Sequence, residues 1–273
     1  MKLKLLLEKF RLLQIVGLTL IFLGFLPSKA VSYAHTASGR AKPKPNVDAN
    51  PGNIPSGPLG DSIRLGLNIF KNTPKYASSY VGNKLSCSDC HLQDGIAAYS
   101  SPLVGVPGTF PAYNQRAHRV ITFEERIQEC FVRSENGSRM IPADSVEMTA
   151  LVAYMQWISR GQPAGKTPPG RGLVRLPALN GNLTRGEVIY AKRCSSCHGA
   201  HGAGIAHFFP PVWGNDSFNT GAGMDHPAKM AAFVQHNMPL NSPGSLTAQQ
   251  AFDVSAYIDS KPHPAFNTAY KSY

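Results

Sequence analysis

The chain has 273 residues, enough for two small domains, and 42% of them are hydrophobic. Its net charge is +11, but no basic run is interleaved with aromatics, which argues against a nucleic-acid partner. Five cysteines occur, so at least one is left over from any set of pairs.

Residues 1–34 predict an export signal. Lys2, Lys4, Lys9 and Arg11, with Glu8 the lone acid, precede an apolar run from Leu12 to Leu26. Ser32 and Ala34 take the −3 and −1 positions of a cleavage site before His35. The run is shorter than the about 20 residues of a bilayer span. Cleavage, a periplasmic location and no stable membrane anchor are therefore expected. The cleaved chain would carry +7, a field suited to a small anionic substrate or an acidic redox partner.

Residues 35–60, rich in Pro, Gly, Asn, Ala and Lys, predict a flexible or extended arm. Residues 61–71 predict a helix opened by Asp61 or Ser62. Cys87-Ser88-Asp89-Cys90-His91 follows. Thr122 to Cys130 then reads as a capped helix on which Arg126 and Cys130 share a face. Residues 145–159 predict a stronger helix, with Met148, Leu151, Val152, Met155 and Ile158 on one buried face. Residues 161–182 are Gly- and Pro-rich and predict an interdomain linker. Residues 184–193 predict a helix, Cys194-Ser195-Ser196-Cys197-His198 follows it, and residues 247–260 predict a closing helix with Thr247 as N-cap.

The two C-x-x-C-H motifs have the attachment signature of c-type haem. Two thiols add across the porphyrin vinyl groups, and the adjacent histidine is held under the ring as a proximal ligand. A single zinc site is disfavoured, because the two pairs lie 107 residues apart. Cys87, Cys90, Cys194 and Cys197 are thus the expected attachment residues for two haem c groups, with His91 and His198 as iron ligands. The flanking helices repeat as well: Gly66 and Phe70 match Gly186 and Tyr190, and Tyr154 matches Tyr257. The expected fold is all-α: two tandem class I-like cytochrome c domains, 61–160 and 183–273, each enclosing one haem. The paired glycines, Tyr154 and Tyr257 are assigned packing alone. The first half departs from the repeat. Cys87 stands seventeen positions after Phe70, whereas Cys194 stands four after Tyr190, so an insertion should give the first domain extra surface near its haem.

The distal ligands are less regular. Met238, followed by Pro239, lies 40 residues past His198 and is the expected second-haem ligand, with His236, Met224 and Met230 as competitors. Cys130 lies 39 residues past His91, where an axial ligand is expected, and Met140 at 49 is its competitor. Arginines beside a thiol favour its thiolate and offer bidentate hydrogen bonds to an oxyanion. Arg119 and Arg133 read as solvated surface charges.

Arg116, Arg126 and Cys130, followed by Phe131-Val132-Arg133-Ser134-Glu135-Asn136-Gly137, resemble the dihaem thiosulfate dehydrogenases, whose first domain is related to the SoxA-type cytochromes. That resemblance covers about residues 60–265. It implies a haem-ligating Cys130 with Arg126 and Arg116, four and fourteen residues earlier, lining the substrate pocket. Asn237-Met238-Pro239-Leu240 resembles the family's second-haem loop; some members have a ligating lysine where this chain has Asn237, which favours Met238. The implied reaction couples two thiosulfates to tetrathionate, or the reverse. Two electrons would pass through both haems to a partner such as a small cytochrome c, another periplasmic carrier or a terminal oxidase. A dihaem carrier without substrate chemistry and a SoxA-like subunit acting on a carrier-protein cysteine are the alternatives.

Overall fold

Two glycines set the architecture, seen in a computed structural model that describes residues 53–273 except His207. The export signal and most of the arm expected from the sequence lie outside the described residues. In chain order the helices are α1 (Pro58–Lys71), α2 (Thr73–Tyr76), α3 (Cys87–Cys90) and α4 (Leu92–Gly95), then α5 (Phe123–Arg133) and α6 (Val146–Ile158). The second half contains α7 (Leu183–Arg193), α8 (Ser195–His198), α9 (Pro227–Asn237) and α10 (Ala248–Asp259). None is long and apolar enough to cross a membrane among the described residues.

Helix α1 crosses α6 at Gly66, where a Cβ would run into the Ala150 carbonyl and Tyr154 Cβ. Helix α7 crosses α10 at Gly186, where a Cβ would meet the Asp253 carbonyl and Tyr257 Cβ. Only a residue without a side chain lets the backbones approach so closely. The aromatic partners then pack at each crossing: Phe70 on Tyr154 at 5.6 Å between ring centroids, and Tyr190 on Tyr257 at 5.7 Å. Two cores result. One joins Ile63, Ile69, Phe70, Met148, Leu151, Tyr154 and Ile158; the other joins Tyr190, Phe218, Met230, Val234, Phe252 and Val254. The architecture is therefore the expected pair of cytochrome c domains.

Local signals account for most helix ends. Thr122 Oγ1 accepts from Glu125 N and the Glu125 carboxylate accepts from Thr122 N, a reciprocal cap that opens α5. Thr247 caps α10 as expected, and Ser145 caps α6. The start of α1 differs from the expectation. It opens three residues before Asp61, because Pro58 presets a helical φ and needs no amide partner in the first turn. Asp61 pairs with Arg64 at 2.6 Å instead.

The fold is the expected all-α class with one small addition: Ala112–Asn114 (β1) and Arg119–Ile121 (β2) form an antiparallel hairpin, too short for an alternating pattern to reveal. Two further readings are refined. The insertion after Phe70 turns inward as well as outward, with Thr73, Ala77, Asn83 and Leu85 buried. Arg133 is not a solvated charge. It is 7% exposed, donates to the carbonyls of Gly221 (3.2 Å) and Tyr273 (2.7 Å), and lies over the Phe266 ring at 4.3 Å. Arg119, by contrast, is partly exposed and pairs with Glu125 at 2.7 Å.

Arg133 is one of several ties between the two halves. Asn83 Nδ2 donates to Ser134 O and Ser217 O, and Asn219 Nδ2 donates to Val132 O and Asn136 Oδ1. Asn237 Nδ2 donates to Tyr99 O at 3.1 Å. Buried amides carry this seam, because an interface rich in backbone carbonyls needs donors.

Haem cavities and candidate active site

Each domain holds an apolar cavity at its attachment motif. The first is lined by Cys87, Cys90 and His91 with Phe70, Leu103, Phe110, Phe123, Ile127, Leu151 and Met155. The second is lined by Cys194, Cys197 and His198 with Tyr190, Phe209, Val212, Phe233, Val254 and Ile258. Leu85 and Cys90 line both, so the two cavities share a wall. Leu85 belongs to the insertion, which therefore builds the partition between the sites.

The histidines are oriented alike. His91 Nδ1 lies 2.6 Å from Ser101 O, and His198 Nδ1 lies 2.9 Å from Pro210 O. A carbonyl at Nδ1 selects the tautomer with its proton there and leaves Nε2 free for a metal. Burial pushes the pKa of both imidazoles down, against the raising effect of those carbonyls, so they are neutral, as a metal ligand must be. Burial also pushes the Cys194 thiol up to about 11. A pair of thiols, an oriented neutral imidazole and an apolar chamber fit a covalently held haem in each domain.

Helix α5 forms part of the wall of the first cavity. Cys130 and Arg126 both line it, and Arg126 Nη1 donates to the Cys130 sulfur at 3.3 Å. The same Nη1 lies 3.2 Å from Glu129 Oε2, which also accepts from Asn114 Nδ2 at 2.8 Å. The Cys130 sulfur, ahead of Glu129, raises the pKa of the Arg126 guanidinium against the opposing effect of burial. Glu129 is 1% exposed, and its Oε1 has no partner among the described residues.

Arg116 does not line the cavity; it sits in the turn between β1 and β2. Asn114 Oδ1 accepts from the amides of Arg116 (2.8 Å) and Ala117 (3.1 Å). Asn114 therefore holds the Arg116 turn with one end of its amide and the Glu129–Arg126–Cys130 chain with the other. Lys229, in the first turn of α9, brings positive charge from the second domain toward Arg116, and His226 stands just before that helix. The pKa of Lys229 is lowered by burial, then by Arg116 and Arg126; that of His226 is lowered by burial, then by Lys229 and Arg116. Arg126, Arg116 and Lys229 thus share a cationic seam beside the first cavity, a field that favours a small anion.

Of the competing ligands, Met140 does not line the first cavity, and His236 packs edge-on against Tyr99 at 5.1 Å. Met238 lines the second cavity, but so do Met224 and Met230. Asn237, where a lysine was weighed from the resemblance, is spent on Tyr99 O and Phe233 O.

The sequence reading missed Glu129, Asn114 and Lys229. Glu129 was findable, because it stands three positions after Arg126 on a helix, a spacing that pairs charges. Asn114 and Lys229 had no local signal, since the hairpin and the domain seam bring them in.

Two cavities, each with thiols and a carbonyl-held imidazole, and one with an additional cysteine in its wall, make this a dihaem cytochrome c that carries two haem c groups and has a site for chemistry. It belongs to the thiosulfate dehydrogenase family of cytochromes. Residues 75–164 match the SoxA/TsdA cytochrome c domain, and residues 181–258 match the domain described as cytochrome c oxidase, cbb3-type, subunit III. The thiosulfate dehydrogenase of Stutzerimonas stutzeri is 42% identical over 217 residues, covering 77% of this chain and 70% of that protein. That of Allochromatium vinosum is 41% identical over 223 residues, covering 78% and 82%. The solved thiosulfate dehydrogenase (TsdBA) of Marichromatium purpuratum, in its as-isolated form, superposes with a TM-score of 0.73 at 40% identity. The match spans 76% of this chain and 47% of that one.

Proposed function

We infer that this chain is a thiosulfate dehydrogenase acting in the periplasm, joining two thiosulfates into tetrathionate or running the reverse. The single observation that carries the reading is Arg126 donating to Cys130 in the wall of the first cavity. An electron carrier needs neither that thiol nor the cationic seam beside it. The relatives named thiosulfate dehydrogenase support the same choice.

The residues lining the two cavities support the following roles. Cys87 and Cys90, and Cys194 and Cys197, would hold the two haems, with His91 and Cys130 on the first iron and His198 and Met238 on the second. The haems supply one-electron acceptors. Thiosulfate carries two negative charges and cannot enter an apolar chamber unpaired. Arg126, in the cavity wall, pairs with its sulfonate and directs its terminal sulfur to Cys130, while Arg116, in the adjoining hairpin turn, draws the anion in. A sulfur–sulfur bond then forms between the Cys130 thiolate and that terminal sulfur, and two electrons leave through the shared wall at Leu85 and Cys90. A second thiosulfate attacks the sulfur held by Cys130. The Cys130 sulfur leaves as thiolate and tetrathionate is released, with no proton gained or lost. A methionine-ligated second haem has the higher potential and suits the electron exit, toward a small cytochrome c, another periplasmic carrier or a terminal oxidase.

Holoprotein mixed with thiosulfate and an artificial acceptor should form tetrathionate. Cys130→Ala should keep both haems and lose essentially all turnover. Normal turnover in that variant would overturn the mechanism. Export is checked by the mass of the mature protein, which should lack about residues 1–34 and carry two haems.

A further inference from the structure

Arg171 lies between the two helical domains, yet it lines the first haem cavity together with Gly172. Backbone pairing puts it there. Tyr99 N donates to Gly170 O at 2.7 Å, Ser101 N donates to Gly172 O at 2.9 Å, and Ser100 bridges Leu173 antiparallel. Ser101 is also the residue whose carbonyl takes the His91 Nδ1 proton. The strap at residues 170–173 is therefore bound to the loop that holds the proximal histidine. Helix α5, with Cys130 and Arg126, contributes none of these contacts.

The side chain is underused. One Nη2 donates to Thr109 Oγ1 at 3.2 Å, and no carboxylate pairs with Arg171 among the described residues. A guanidinium has five donors in a planar fork that matches a carboxylate bidentately. A cation at the wall of an apolar cavity is costly without such a partner. Haem c brings its own carboxylates, the two propionates, into the cavity.

We propose that Arg171 binds a propionate of the first haem and raises that haem's reduction potential, making the interdomain strap part of the redox centre. A cation near the ring disfavours the more positive ferric state, which fixes the direction of the effect. This inference rests on the haem assignment and not on the thiosulfate reaction, so the two can fail separately.

The test is an optical redox titration of the holoprotein, with the first haem taken as the wave that Met238→Gly leaves in place. Arg171→Gln should move that wave to lower potential and leave the other unmoved. Arg171→Lys should keep it closer to wild type, and the KM for thiosulfate should stay within about twofold in both. An unmoved wave overturns the proposal. So does a several-fold rise in KM at unchanged potential, which would make Arg171 a substrate cation. If Arg171→Gln fails to load the first haem, Thr109→Val decides. It leaves the strap intact and loosens the guanidinium, so the same wave should fall by less, and a wave that stays put overturns the proposal.

Discussion

Arg126 bridges Glu129 and Cys130 with a single nitrogen, its Nη1 standing 3.2 Å from the carboxylate and 3.3 Å from the sulfur. The carboxylate anchors the guanidinium from behind, and Asn114 anchors the carboxylate. Glu129→Gln should therefore lower kcat/KM by about tenfold without loss of haem, because the anchor keeps its shape and loses its charge. Asn114→Ala should act similarly. The double variant should fall well short of the product of the two, as expected for one chain of contacts. Steady-state kinetics checks this; wild-type rates in Glu129→Gln would show that Arg126 needs no anchor.

Lys229 reaches the seam from the other domain. Its pKa is depressed by burial first and then by Arg116 and Arg126, which places it within their field. Lys229→Gln should raise the KM for thiosulfate a few-fold and change kcat by less than about twofold, since it gathers the anion without touching the sulfur. The salt dependence of kcat/KM should flatten in the variant. An unaltered salt dependence would remove Lys229 from the site.

Met224, Met230 and Met238 all line the second cavity, so the ligand must be separated by substitution. Met230 is on α9 and packed in the core, whereas Met238 follows the helix in extended backbone, free to present its sulfur. Met238→Gly should abolish the methionine-to-ferric-iron absorption near the red edge of the spectrum. Met224→Leu and Met230→Leu should keep it. Loss of the band in either leucine variant, with retention in Met238→Gly, would reassign the ligand.

Asp253 ties α10 to α7. It accepts from the Asn182 amide, Arg185 Nε and Nη2, and Gln249 Nε2, all within 2.9 Å. Burial raises its pKa, but the hydrogen bonds from Arg185, Gln249 and the Asn182 amide outweigh it, so the net shift is downward. A carboxylate depressed on folding contributes stability above its unfolded value of about 3.9, and loses it as pH falls through the lower folded value. Asp253→Asn should cost roughly 1–3 kcal/mol at neutral pH and progressively less as pH falls below the unfolded value and through the lower folded one. Thermal unfolding of the holoprotein across that range tests the sign; an equal deficit at both ends would make the loss one of shape and not of charge.

Much of this protein was determined by short-range order alone. The two C-x-x-C-H motifs, the glycine–aromatic repeat of Gly66 and Phe70 with Gly186 and Tyr190, and the caps Thr122, Ser145 and Thr247 each act within a few residues of chain. Covalent attachment, close backbone approach and capping are local requirements, and local sequence states them. The placing of Arg126 beside Cys130 was legible for the same reason, since a helix brings positions four apart together. Tertiary structure alone decided the rest. Asn114 meets Glu129 because a hairpin folds back on α5; Arg133 is buried because the second domain closes over it; Leu85 divides the two cavities because the insertion turns inward. Arg171 enters the first cavity through backbone pairing between the linker and the Tyr99–Ser101 loop. In each case the partner lies on another element, well separated in sequence, and such a contact leaves no pattern along the chain.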